Sequence, residues 1–471
     1  MTDIASGTRI RCCIEAPHDY VEKAQYAIRM LLFPYRVDVE FESARHLSTG
    51  DIYYGTHPEH APPGVYVVGL DSRTVQFFSG VESRPAHFET VVVGGEDVPA
   101  LFPCIAGGAF DLIASSFFFL SGWQETKTTA RDEHGRVRYE DSLQASLGSP
   151  DVPYVDVYRV LLYHLLGKSG KVLTKKKWRD REWVFCPTHD IDYIRKWRPG
   201  IIRREIIHRA VRNRESESVA NRFRRVGKTM YGLLSGSNPF QDAITRMRRE
   251  VSERDGTATY FFKAAARAPH DVRYSPTTRF LKEEFTQLQK AGFEIALHPS
   301  YHAFDHTGYL REEKNILAGA SGVITTSVRT HYLRFDPSNT PAVLEQVDFN
   351  LDTTLGWASQ EGFRYATCSP FQLFDLKENR SIAVWEMLLI LMESTLFHRQ
   401  NLTLRQSTER TRKLMKTCRR YGGVFVGLWH NTLWDEDEYP GWGEHFISAL
   451  DFAQDEGALI SSLREALQSW S

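Results

Sequence analysis

At 471 residues the chain is longer than one ordinary core of roughly 100–200 residues, which points to more than one unit. Its 58 basic and 59 acidic residues leave a formal charge of −1, and 12% of the chain is aromatic. That balance excludes a disordered polyelectrolyte and gives no global attraction to nucleic acid, so any electrostatic partner must act through a local patch.

The opening stretch, Met1-Thr-Asp-Ile-Ala-Ser-Gly, has neither the basic nor the apolar region of a secretory signal. Residues 1–178 read as a smaller α/β domain without an assignable role. Strand-like runs start at Thr8, Gly64 and Thr90, and helical stretches cover 20–32 and 155–166. The apolar run at 110–122 carries Asp111, falls short of the ~20 residues of a membrane span, and reads as core. Residues 171–178, with Lys175-Lys-Lys177, are basic enough for a domain linker. Cys12, Cys13, Cys104, Cys186, Cys368 and Cys418 lack zinc-ribbon or redox spacing and read as reduced thiols. A cytoplasmic location is expected.

Residues 179–471 read as a second domain carrying a basic insertion at about 195–235. The functional reading of that insertion is a peripheral contact with an anionic membrane or polymer. The plainer one is a solvated helical face. From Phe240 strand and helix alternate: a helix from Asn238 to Glu250, a strand from Thr259, a helix from Arg279 to Lys290 closed by Gly292, and a helix from Leu310 to Leu317. Repeated units of this kind imply a parallel sheet.

Five apolar runs each lead into reactive residues. Trp183-Val-Phe-Cys precedes Thr188-His-Asp-Ile-Asp192, and Phe293-Glu-Ile-Ala-Leu precedes His298-Pro-Ser-Tyr-His302. Gly322-Val-Ile-Thr precedes Arg329-Thr-His-Tyr332, Phe349-Asn-Leu precedes Asp352, and Val424-Phe-Val-Gly-Leu precedes His430. Parallel strands whose C-terminal ends meet at one mouth would form a barrel site. His298 and His302, four apart, face the same way on a helical turn, and a carboxylate from another strand end would complete three ligands for a divalent ion. We assign Asp192 to the metal and Asp190 to the general base. Arg329 would hold that base ionised, with Arg334 as its rival. His430 would act as proton donor, oriented by Asp352. Tyr332 and His331 would form a wall, and Trp357, Leu428 and Trp429 an apolar surface for an acyl methyl group or sugar face.

With these residues in order, the chain resembles the NodB-homology polysaccharide deacetylases of carbohydrate esterase family 4. The family's Thr-Phe-Asp-Asp-Gly motif is similar to Thr188-His-Asp-Ile-Asp192, and its His-Ser/Thr-X-X-His motif to His298-Pro-Ser-Tyr-His302. Arg329-Thr-His-Tyr332 resembles Arg-X-Pro-Tyr, with His331 in place of proline. Asp352 through Trp357 and Leu428-Trp-His430 resemble the last two motifs. The resemblance covers about 181–435 and implies a distorted (β/α)7 barrel, one divalent ion, usually Zn2+, and hydrolysis of an N-acetyl sugar amide. The expected partner is an N-acetylated glycan, and no nucleic acid is expected. A non-sugar amide hydrolase, or a glycan-binding protein without turnover, stands as the alternative.

Overall fold

A computed structural model of the chain describes residues 8–80, 89–196, 238–436 and 438–470. Apart from Arg195 and Lys196, the basic insertion expected at 195–235 lies outside the described residues.

The N-terminal segment builds a four-stranded parallel sheet from Thr8–Glu15, Val37–Phe41, Ile52–Gly55 and Tyr66–Gly69, with the first strand between the second and third. The helix His18–Leu32 buries Tyr20, Ala24, Ala27, Ile28 and Leu31, the spacing of an amphipathic face. The expected core helix is Leu112–Leu120, in which every residue is buried, as a helix apolar on all sides requires. Asp111 caps it by accepting from the amides of Ile113 and Ala114.

The expected linker at 171–178 is packed instead. Trp178 is fully buried and stacks on Trp470 with centroids 4.6 Å apart. Lys176 lies 4.0 Å over the Phe33 ring, and Lys175 donates to the Tyr421 carbonyl. The Lys176 ammonium lies on an aromatic face and that of Lys175 on a carbonyl, so these two charges are partnered by the fold.

A second, larger sheet curls around the reactive residues. Val184–Ile191 has Thr259–Phe262 on one side and Val424–Leu428 on the other, both parallel. Beyond Thr259–Phe262 follow Glu294–Leu297, Ser327–Val328, Leu351–Asp352 and Arg380–Glu386, all parallel. Beyond Val424–Leu428 lies Leu389–Met392. Only Met387 and Leu388 separate Arg380–Glu386 from Leu389–Met392, so one stretch of chain supplies the strand at one end of the curl and the last parallel strand at the other, where Phe371–Asp375 pairs antiparallel on its outer edge. This mixed α/β architecture is consistent with a distorted barrel. The run at Gly322 is not a strand. Gly322, at φ 76°, closes the helix Thr307–Ser321, Ile324 is 75% exposed, and pairing starts only at Ser327.

One apolar cluster runs through both parts. Phe374 of the larger sheet's flank meets Tyr26 at 5.0 Å and Phe117 at 5.1 Å, and Trp385 meets Phe33 at 4.5 Å. Polar ties accompany it. Arg364 pairs with Glu125 at 2.7 Å in a fully buried setting, and Asp156 accepts from the Cys368 amide at 2.8 Å.

Candidate active site

The strand Val184–Ile191 alternates its side chains, which places Thr188 and Asp190 on one face and His189 on the other. His189 faces away from the mouth, with its ring nitrogen 3.0 Å from the Trp429 carbonyl and its ring against Tyr260 and Phe446. Arg329, fully buried just past Ser327–Val328, reaches across the curl and donates through Nη1 to Thr188 Oγ1 at 2.9 Å and Asp190 Oδ1 at 3.0 Å. Burial opposes the charged form of Asp190, but Arg329, then His298 and His430, hold its carboxyl below the usual range. Arg334 is committed elsewhere, to the carbonyls of His134 and Tyr301. The geometry therefore pairs the expected base with Arg329.

Asp192 follows the strand end and meets two imidazoles. Its Oδ1 lies 3.6 Å from His298 Nε2 and 3.7 Å from His331 Nε2, and the three donor atoms fall within 4.8 Å of one another. Tetrahedral bonds of ~2.1 Å separate neighbouring donors by roughly 3.4 Å, so the spacing fits a shared divalent ion. Asp192 Oδ1 is buried without a hydrogen-bond partner, as an atom reserved for a cation would be. The Nδ1 of His298 sits 2.7 Å from the Arg329 carbonyl, which can only accept. That nitrogen carries the proton, leaving Nε2 with a free lone pair. Burial also pushes the His298 pKa down to about 4, so the ring is neutral.

His331 was expected as a wall and His302 as the second imidazole, but the structure exchanges them. No helical turn forms after His298. The amide of Ser300 is taken by Glu313 at 2.7 Å and that of Tyr301 by Asp271 at 3.0 Å. The i, i+4 alignment is lost, and His302 is exposed, ahead of the short turn Ala303–Asp305. His331 is supported from behind by Asp271, whose Oδ1 lies 2.8 Å from its Nδ1. A buried lysine, Lys263, places Nζ 3.0 Å from that nitrogen, 3.4 Å from Asp271 and 3.9 Å from Asp192. Nδ1 can donate to Asp271, which leaves Nε2 free toward Asp192, or accept from Lys263, which can only donate; a cation shared with Asp192 and His298 would select the first arrangement. Burial resists ionisation of Asp271, but His331, Lys263 and the Arg267 amide hold its pKa well down.

His430, after Val424–Leu428, is not oriented by Asp352. Its Nδ1 lies 3.0 Å from Glu393 Oε1, while Nε2 faces Asp192 at 3.9 Å. Burial lowers the His430 pKa, but Glu393 and then Asp192 and Asp190 overcome it and lift the value to about 9. Asp352 is fully buried and accepts from Thr354 Oγ1, which in turn accepts from the Thr330 amide at 3.0 Å. Burial raises the pKa of Asp352 to about 6, against the hydrogen bonds from Thr354 and Glu386 that lower it.

These groups line one cavity of about 590 Å³, with Asp190, Asp192, His298, His331 and His430 on its walls. Tyr332 and Leu428 line it as expected. Trp357 does not: it is buried against Tyr139, ring centroids 4.9 Å apart, and its neighbour Ala358 reaches the cavity instead. Trp429 also points into the core, donating to His445 at 3.2 Å.

A family model described only as a family of unknown function (DUF7033) matches residues 13–171. No curated protein matches the chain. Among solved structures, a Mycobacterium smegmatis protein described as a polysaccharide deacetylase is 17% identical, with a TM-score of 0.39, covering 61% of this chain and 90% of that one. The peptidoglycan deacetylase PdaC of Bacillus subtilis is 11% identical, with a TM-score of 0.29 and coverage of 61% and 91%. A CE4 family pseudoenzyme from Bacillus anthracis is 9% identical, with a TM-score of 0.27 and coverage of 62% and 67%. Similarity this distant leaves the functional reading to the residues of the site.

Three residues of the site were missed in the sequence. Lys263 directly follows Thr259–Phe262, a run read as a strand whose end residue was not weighed. Glu393 directly follows Leu389–Met392, an apolar run of the same kind as the five that were read. Asp271 lies in an irregular stretch, bound to the amides of Arg267, Ala268 and Tyr301, and carries no local signal.

Proposed function

We propose that the protein is a metal-dependent hydrolase that removes the N-acetyl group from a sugar of a polysaccharide or glycan precursor. The observation that carries this reading is the trio of half-buried Asp192 with buried His298 and His331, facing Asp190 and His430 across one cavity. Two imidazole nitrogens and one carboxylate oxygen are a donor set suited to Zn2+. An ion held there would supply Lewis acidity to an amide carbonyl and to water.

The chain's own residues supply the rest. Asp190, kept ionised by Arg329, accepts the proton of the attacking water. His430 is protonated at neutral pH because of Glu393 and gives that proton from Nε2 to the departing nitrogen. Leu428 and Met392 offer apolar surface for the acetyl methyl group.

Lys263 motivates a second reading. Its ammonium already places a positive charge 3.9 Å from Asp192, which would suit hydrolysis of a non-sugar amide, or glycan binding, without an ion. Elemental analysis of the purified protein, together with acetate release from N-acetyl oligosaccharides, separates the two. About one zinc per chain with released acetate supports the first; turnover or sugar binding by metal-free protein supports the second.

A further inference from the structure

We infer that the loop at 131–136 of the N-terminal segment is a working part of this active site, with Arg136 positioning the His331 imidazole toward Asp192 and His298. The inference rests on the hydrolase reading above and gives the segment matched by the family of unknown function a role in it.

The loop is built to hold one shape. Asp132 Oδ1 accepts from the amides of His134 and Arg136, both at 2.9 Å, and its Oδ2 accepts from Arg136 Nε at 2.7 Å. Gly135, at φ 77°, makes the turn that a side chain would disfavour. From this base Arg136, 8% exposed and on the cavity wall, donates through Nη1 to the Tyr332 carbonyl at 2.7 Å. A second tie runs in the opposite sense. Arg334 Nε donates to the His134 carbonyl at 3.0 Å, and the His134 ring packs on Tyr332 with centroids 4.3 Å apart.

The cross-tied residues are strained. Tyr332 and Leu333 stand at φ 60° and 55°, two successive side-chain-bearing residues in the left-handed region. Such a conformation costs free energy and persists only where the surroundings impose it. His331 immediately precedes them. Relaxation of Tyr332 would turn the peptide that joins it to His331 and swing the ring away from Asp192. The curled sheet does not impose the shape alone, because Arg334 itself anchors on the N-terminal segment. The two guanidiniums therefore connect that segment to the donor trio through the backbone.

The test uses the full-length chain and Co2+ as the probe, read by its visible absorption, with thermal unfolding in parallel. Arg136→Ala should weaken Co2+ binding by about 10–100-fold, the usual effect of removing support behind a metal ligand, with little change in unfolding temperature. Arg136→Lys keeps a donor for the Tyr332 carbonyl and should recover part of the loss. Asp132→Asn, which loosens Arg136 without removing it, should move binding the same way by a smaller factor and serves if Arg136→Ala does not fold. Wild-type affinity and spectrum in these variants would overturn the inference while leaving the hydrolase reading intact. Failure of the wild-type protein to bind Co2+ would remove the metal site and this inference together.

Discussion

Asp271 receives His331 Nδ1 at 2.8 Å, while the far nitrogen of the same ring faces Asp192 at 3.7 Å. That carboxylate can take the Nδ1 proton and leave the far nitrogen facing Asp192, which makes His331 the candidate second nitrogen donor of the trio. His331→Ala should therefore reduce bound zinc from about one per chain to near zero. His302→Ala, at an exposed position, should leave it unchanged. Elemental analysis of the two variants gives the answer, and metal loss in the His302 variant alone would reverse the assignment.

Asp190 and Asp192 are chemically alike and differ in their company. Arg329 grips the first, whereas the second presents an unpartnered oxygen to two imidazoles. Asp190→Asn should lower acetate release by at least ~10²-fold, the scale of a lost general base, with metal content retained. Turnover close to wild type would show that the proton goes elsewhere.

The pH profile depends on Glu393. It is the main cause of the rise in His430 pKa to about 9, so the imidazole is charged below that pH and loses its proton as pH rises through it. Glu393→Gln keeps the shape and removes the charge. The alkaline limb of the rate profile should then move to lower pH, toward the ordinary histidine value of about 6.5, and the rate at pH 8 should fall. Identical limbs in both proteins would separate Glu393 from the proton donor.

Much of this site could be read from the sequence because strand ends announce themselves. Buried strands are continuous apolar runs, and polar side chains near their C-terminal ends can face the mouth. Asp190, His298 and His430 lie at such ends and line the cavity, whereas Arg329 follows the short strand Ser327–Val328 and not the run read at Gly322. His302 failed because a spacing of four implies a shared face only on a helix, and the residues after His298 give their amides to Glu313 and Asp271 instead. Asp352 failed for a related reason: a carboxylate at a strand end has several neighbours, and its partners proved to be Thr354 and Glu386. The reach of Arg136 into the cavity has no local signature, since it depends on how two distant stretches dock.

That docking is held partly by charge. Arg364, buried to 1% exposure, binds Glu125 through both Nε and Nη2, at 2.7 and 2.9 Å. Arg364→Ala leaves a buried carboxylate unopposed and should cost about 3–5 kcal/mol, seen as a lower urea midpoint. Glu125→Leu combined with Arg364→Met should recover most of the loss. A double variant no more stable than Arg364→Ala would show that the arginine acts through some other contact.

The aromatic seam of Tyr26, Phe33 and Phe117 against Phe374 and Trp385 bears on how the chain can be cut. A gene trimmed to the second half would yield a chain with an oily flank and a tendency to clump. A gene keeping only the first half would leave the matching aromatics bare. Each fragment made alone should therefore be less soluble than the full chain.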